Sequence, residues 1–95
     1  MFYLGIDVAK AKIDCCLILE NSESKKKTKT FSNMPKGFEQ LQTWLNHHAA
    51  NSTQTIILME ATSIYHERLA KYLFDAGYQV CVTNPARARY FAQSM

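Results

Sequence analysis

Two apolar, β-favouring runs open the chain, residues 2–8 (FYLGIDV) and 12–19 (KIDCCLIL), parted only by Ala9, Lys10 and Ala11. Runs of this length around a short break predict two strands of a hairpin or meander. In the second run Ile13, Cys15, Leu17 and Leu19 fall on one side. The polar stretch NSESKKK (Asn21 to Lys27) reads as a turn whose Lys25, Lys26 and Lys27 protect a sheet edge, and Thr28 to Phe31 as a weaker third strand paired with the second. The spacing then changes from two to three and four. Phe38, Leu41, Trp44 and Leu45 predict a helix with Trp44 in the core, with Ser32 or Asn33 as its cap, Pro35 in its first turn and an end near His47 and His48.

After the polar linker Ala49 to Thr53, the run TIILM (Thr55 to Met59) is apolar throughout, as suits a central parallel strand, and it ends in Glu60. Tyr65, Leu69, Leu73 and Ala76 form the stripe of a second helix from about Ile64 to Ala76, stopped by Gly77. A short strand, Gln79 to Val82, follows, and Asn84-Pro85 starts a third helix through Arg87, Arg89 and Phe91. The order β-β-β-α-β-α-β-α, with right-handed crossovers after the meander, predicts a mixed sheet in strand order 3-2-1-4-5 with helices on its faces.

Asp7 interrupts this apolar pattern. A lone carboxylate in a strand costs several kcal/mol to bury unless it is paired. In the predicted sheet the first and fourth strands are parallel neighbours, and Asp7 and Glu60 converge at or near their C-terminal ends. Open α/β sheets place their ligands in that crevice. Two carboxylates held so close repel unless a cation lies between them, and oxygen-only ligands suit Mg²⁺ or Mn²⁺. The plainer alternative has Asp7 bonded to the following turn and Glu60 capping the next helix beside Thr62 or Ser63.

Bulk properties narrow the class without deciding it. Ninety-five residues, 47% hydrophobic, suit one small domain. A net charge of +3 permits contact with a polyanion but does not require it. Cys15, Cys16 and Cys81 are an odd number, two of them adjacent, which points to buried or free thiols in a reducing compartment. No apolar run approaches the ~18 residues of a membrane span, and no secretory signal opens the chain, so a cytoplasmic, membrane-free protein is expected. His47 and His48 suit a helix C-terminus better than a metal, and Tyr65 and His66 read as packing and surface residues.

Together, GIDVAK at 5–10, MEAT at 59–62 with Tyr65, then Leu69, Leu73 and Gly77, and NPARARYFA at 84–92 resemble the N-terminal part of DEDD-type insertion-sequence transposases. These form the insertion-sequence one-ten family, relatives of the Piv and MooV invertases, with a RuvC-like, RNase H-type fold. The resemblance spans nearly all of the chain. It implies that residues 1–95 are the incomplete, N-terminal part of a single catalytic domain, with Asp7 as the first acid of the tetrad and Glu60 as the second. The last two acids would belong to a later segment; Asp75 matches no motif acid, and Ser63 stands where family members often have glycine. The implied activity is metal-dependent DNA strand cleavage and transfer by the full-length protein, with Mg²⁺ or Mn²⁺ held weakly or not at all by this part alone. A C-terminal domain with a nucleophilic serine and a guide-like bridge RNA are implied with it.

Lys10, Lys12, Arg87 and Arg89 would lie at the acid end of the sheet, where cations contact phosphates and position a nucleic acid without reading its bases. An exposed sheet edge makes a homo-oligomer an expectation. Two rival folds or functions share parts of this pattern. A sugar-kinase or actin-like ATPase shares the β-β-β-α-β start, but Val8-Ala9-Lys10 lacks the glycine that lets backbone approach a phosphate. A non-catalytic nucleic-acid- or protein-binding module is the other.

Overall fold

The computed structural model describes residues 1–19, 26–60 and 64–83. In β1 (Phe2–Val8) Leu4, Ile6 and Val8 are buried while Tyr3, Gly5 and Asp7 are exposed, as a period of two requires. β2 (Lys12–Leu19) buries Ile13, Cys15 and Leu17 in the same way, pairing antiparallel with β1 from Phe2 opposite Leu19 to Val8 opposite Ile13. β3 (Lys26–Ser32) pairs antiparallel with β2 at the sheet edge. It is longer than the run Thr28 to Phe31 suggests. Lys26 and Lys27, expected in a turn, stand opposite Ile18 and Leu17. A ladder is made by backbone groups, so exposed lysines can extend it and still blunt the edge.

α1 (Pro35–His47) buries Phe38, Leu41 and Leu45. Its cap differs from the expected one: the N-cap is Met34 in extended conformation, without a side-chain cap bond. Pro35 holds the residue before it out of the helical region, and the side chain of Asn33 is engaged elsewhere. Trp44 is half-buried and packs edge-on against Phe31 at 5.7 Å between ring centroids. β4 (Thr55–Glu60) runs parallel to β1 on its other side, and β5 (Gln79–Thr83) runs parallel to β4. The sheet order is β3-β2-β1-β4-β5, as the sequence pattern predicts. Between β4 and β5 the chain forms a 3-10 turn at Ile64–His66 and then α2 (Glu67–Asp75), so the second helix proper starts three residues later than its stripe suggests.

Leu69 and Leu73 of α2 join the same buried cluster as Phe38, Leu41 and Leu45 of α1, beneath Leu4, Ile6, Ile13, Ile57 and Met59 of the sheet. Both described helices therefore cover one sheet face. They also grip each other: Phe38 and Tyr72 rings lie 5.5 Å apart and the Tyr72 hydroxyl donates to Gln42 Oε1 at 2.8 Å. The third helix expected from Asn84-Pro85 lies outside the described residues. Among those described, the opposite face of β4 carries Leu58 at 53% exposure, so its apolar run is buried on one side only.

Candidate active site

Because β1 and β4 are parallel and in register, Asp7 stands directly opposite Glu60. Partners in a ladder project to the same side, here the face away from α1 and α2, and both residues are exposed. Glu60 ends β4 and Asp7 is the penultimate residue of β1. The convergence predicted from the sequence is thus present.

Register extends the arrangement across the sheet. Asp14 of β2 stands opposite Asp7, Thr30 of β3 opposite Asp14, and Thr83 of β5 opposite Glu60. Thr30, Asp14, Asp7, Glu60 and Thr83 make one row over all five strands. They line a shallow depression of about 880 Å³ with Gly5, Cys16 and Leu58 on its floor. The apolar and polar pattern of β2 does not single out Asp14. Hairpin arithmetic contains it, however, since strands closing on Lys10 and Ala11 set residue 14 against residue 7. Its carboxylate accepts from the Thr30 hydroxyl at 2.5 Å and lies 3.9 Å from the Lys12 ammonium, so it leans toward β3 and its neighbours.

Among the described residues no three ligating side chains gather closely enough to hold a metal ion by themselves. The donor chemistry at Asp7 and Glu60 is nevertheless of the hard, oxygen-only kind that Mg²⁺ and Mn²⁺ accept. Asp75 lies apart from the row, in an i,i+4 ion pair with Lys71 at 2.6 Å. Below the row, burial pushes the Cys15 thiol up to about 12, with the charges of Asp14 and Cys16 adding to it. That thiol is inert packing. Lys10 sits exposed in the turn after β1 and Lys12 begins β2, both at the acid end of the sheet. Arg87, Arg89, Thr62 and Ser63 lie outside the described residues. Tyr65 is exposed in the 3-10 turn, not on the buried stripe of α2.

A mixed five-stranded sheet in this order, with two described helices on one face, has the RuvC-like, RNase H-type α/β fold. The fold superposes on Thermus thermophilus RuvC, solved with a Holliday junction substrate, at a TM-score of 0.61 and 10% identity, covering 95% of this chain and 68% of that one. An exopolyphosphatase from Cytophaga hutchinsonii is nearly as similar in shape, with a TM-score of 0.58 and 12% identity over 92% of this chain and 35% of its own. Shape at such identities shows the fold alone. Sequence decides the family: residues 4–95 match the model of the DEDD transposases of the insertion-sequence one-ten type, described as a transposase. The chain belongs to that family. It is also 33% identical over 93 residues to the pilin gene-inverting protein of Moraxella bovis, covering 98% of this chain and 28% of that protein. The chain thus spans about 28% of the length of that relative.

Proposed function

We propose that this chain supplies the first two acids, Asp7 and Glu60, of a metal-dependent DNA strand-cleaving and strand-transfer centre, in a recombinase that continues beyond these residues. The observation that carries the reading is the direct register pairing of Asp7 with Glu60 at the C-terminal ends of parallel strands, in a chain of the transposase family. Mg²⁺ or Mn²⁺ would be held by these two carboxylates together with oxygens from elsewhere in the protein and from the DNA. When bound, such an ion activates a nucleophile and stabilises a leaving oxygen at a phosphodiester.

The residues themselves would do the rest by placement. The rigid ladder holds the two carboxylates on one face, while Lys10, Lys12, Arg87 and Arg89 attract the phosphate backbone and orient it without selecting sequence. A RuvC solved on a Holliday junction is consistent with branched DNA as substrate. A guide-like RNA, a cytoplasmic location and self-association through an exposed sheet edge belong to this same proposal. Asp7→Asn and Glu60→Gln, made in the protein at its native length, test it. Each is expected to abolish strand cleavage and recombination of the element's DNA while leaving the fold intact, and recombination at wild-type level in either would refute the assignment.

A further inference from the structure

Asn33 lies between the end of β3 and the N-cap of α1, where its side chain could have capped the helix. Instead its Nδ2 donates to the carbonyl oxygens of Ala9 at 2.8 Å and Tyr65 at 3.0 Å, and its backbone N–H donates to Ala11 at 3.0 Å. An amide group carries two hydrogens, and both are used. Ala9 is two residues past Asp7, in the turn that leaves β1. Tyr65 is five residues past Glu60, in the 3-10 turn that follows β4. One side chain therefore fastens together the two segments that leave the acid-bearing strands.

The residue that carries this side chain is itself pinned. A Cβ on Gly37 would meet the Ser32 carbonyl oxygen at 1.9 Å and its carbon at 2.7 Å. Glycine alone lets the first turn of α1 settle onto the backbone just before Asn33. The sheet fixes register along β1 and β4, but it stops at the strand ends, where two like charges push apart. We propose that Asn33 is a positioning residue for the Asp7–Glu60 pair: it holds the exits of β1 and β4 at one separation just beyond the last ladder rung, and so steadies the spacing of the two carboxylates that the ladder brings opposite each other. This rests on the function proposed above. An error of about 1 Å in such spacing lowers a rate by roughly 10²-fold.

Asn33→Asp in the native-length protein separates clamp from cap, because Asn and Asp are equivalent helix caps while a carboxylate offers two carbonyl oxygens no donor. Asn33→Ala removes the bonds without adding repulsion and serves if the aspartate variant folds poorly. Hydrogen exchange should quicken about tenfold in peptides spanning residues 8–12 and 64–67, while the β1 and β4 core around Ile6 and Ile57 keeps wild-type protection. Affinity for Mn²⁺ should fall about tenfold and the cleavage rate at saturating DNA roughly 10²-fold. Wild-type exchange in both turns of either variant would overturn the clamp. Loosened turns with unchanged Mn²⁺ affinity and cleavage would overturn its positioning role. Cleavage surviving in the Asp7→Asn control would remove the site itself, and the inference with it, a failure distinct from the other two.

Discussion

Asp7 faces Asp14 on one side and Glu60 on the other, so a single carboxylate in β1 has a like charge as its cross-strand partner in both directions. Like charges directly opposite destabilise a sheet by roughly 0.2–1 kcal/mol per pair. Asp14 has the Thr30 hydroxyl and the Lys12 ammonium to offset its charge. Asp7→Asn relieves two repulsions and Glu60→Gln one. Denaturation at low ionic strength should therefore find both variants more stable than wild type, Asp7→Asn the more so. The gains should shrink in 0.5 M salt, where screening acts within a few ångströms. A loss of stability in Asp7→Asn at low salt would show that the carboxylate is structurally satisfied and not held against its neighbours.

That pair was legible in the sequence because everything needed for it is local or topological. Alternation in FYLGIDV and the apolar run before Glu60 mark two strands, and right-handed crossover makes them parallel neighbours. Asn33, Asp14 and Lys26 were misread or passed over for one shared reason. Their roles depend on partners distant in the chain: Asn33 on carbonyls 24 and 32 residues away, Asp14 on a residue across the hairpin, and Lys26 on the backbone of β2. A capping residue next to a helix start is a sound local inference, and it failed because the helix begins at Pro35 with Met34 as its N-cap, while the Asn33 amide donates to two tertiary carbonyls.

Helix ends offer a cleaner test of backbone strain. α1 and α2 close in the same way: Ala50 N–H reaches Leu45 and Ala49 N–H reaches Asn46, just as Tyr78 reaches Leu73 and Gly77 reaches Phe74. This motif places its C′ residue in the left-handed region. That residue is Gly77 at φ 93° in one case and Ala49 at φ 60° in the other. Ala49→Gly should stabilise the protein by about 0.5–1 kcal/mol, the strain relieved exceeding the added freedom of the unfolded chain. Gly77→Ala should destabilise it by about 1 kcal/mol through conformation alone, since its Cβ would meet only Ser52 atoms at an ordinary 3.5 Å. Equal melting curves for wild type and Ala49→Gly would contradict the strain.

At Gly37 propensity and packing disagree. Alanine is better than glycine inside a helix by about 1 kcal/mol. Against this, a Cβ 1.9 Å from the Ser32 carbonyl oxygen forces backbone to move, and overpacking of that kind costs about 1–3 kcal/mol. Packing should win. Gly37→Ala is expected to lower stability in urea denaturation and, by moving Ser32, to quicken amide exchange at Asn33; a more stable variant would mean that the β3–α1 junction yields freely.

The cysteines differ in burial and so in chemistry. Cys81 is exposed, Cys16 half-buried and Cys15 buried beneath the acid row. A thiol reagent at neutral pH should modify Cys81 first, Cys16 more slowly, and Cys15 only as fast as the protein opens, because the thiolate is the reactive form. Burial, then Asp14 and Cys16, raise the folded-state value of Cys15 from 9.0 to about 12. Between those limits the unfolded chain releases the proton while the folded one keeps it, so stability is complete below pH 9 and falls as pH rises toward 12. Tyr78, raised by its burial while its hydroxyl donates to the Ala50 carbonyl at 3.1 Å, adds a loss of the same sign above pH 10. The two groups separate by window and by variant. Cys15→Ala is expected to flatten the fall between pH 9 and 10 whatever its stability at neutral pH, and to leave the Tyr78 fall above it. An unchanged slope between pH 9 and 10 in that variant, measured by urea denaturation at successive pH values, would show that Cys15 ionises in the folded protein as readily as in the unfolded chain.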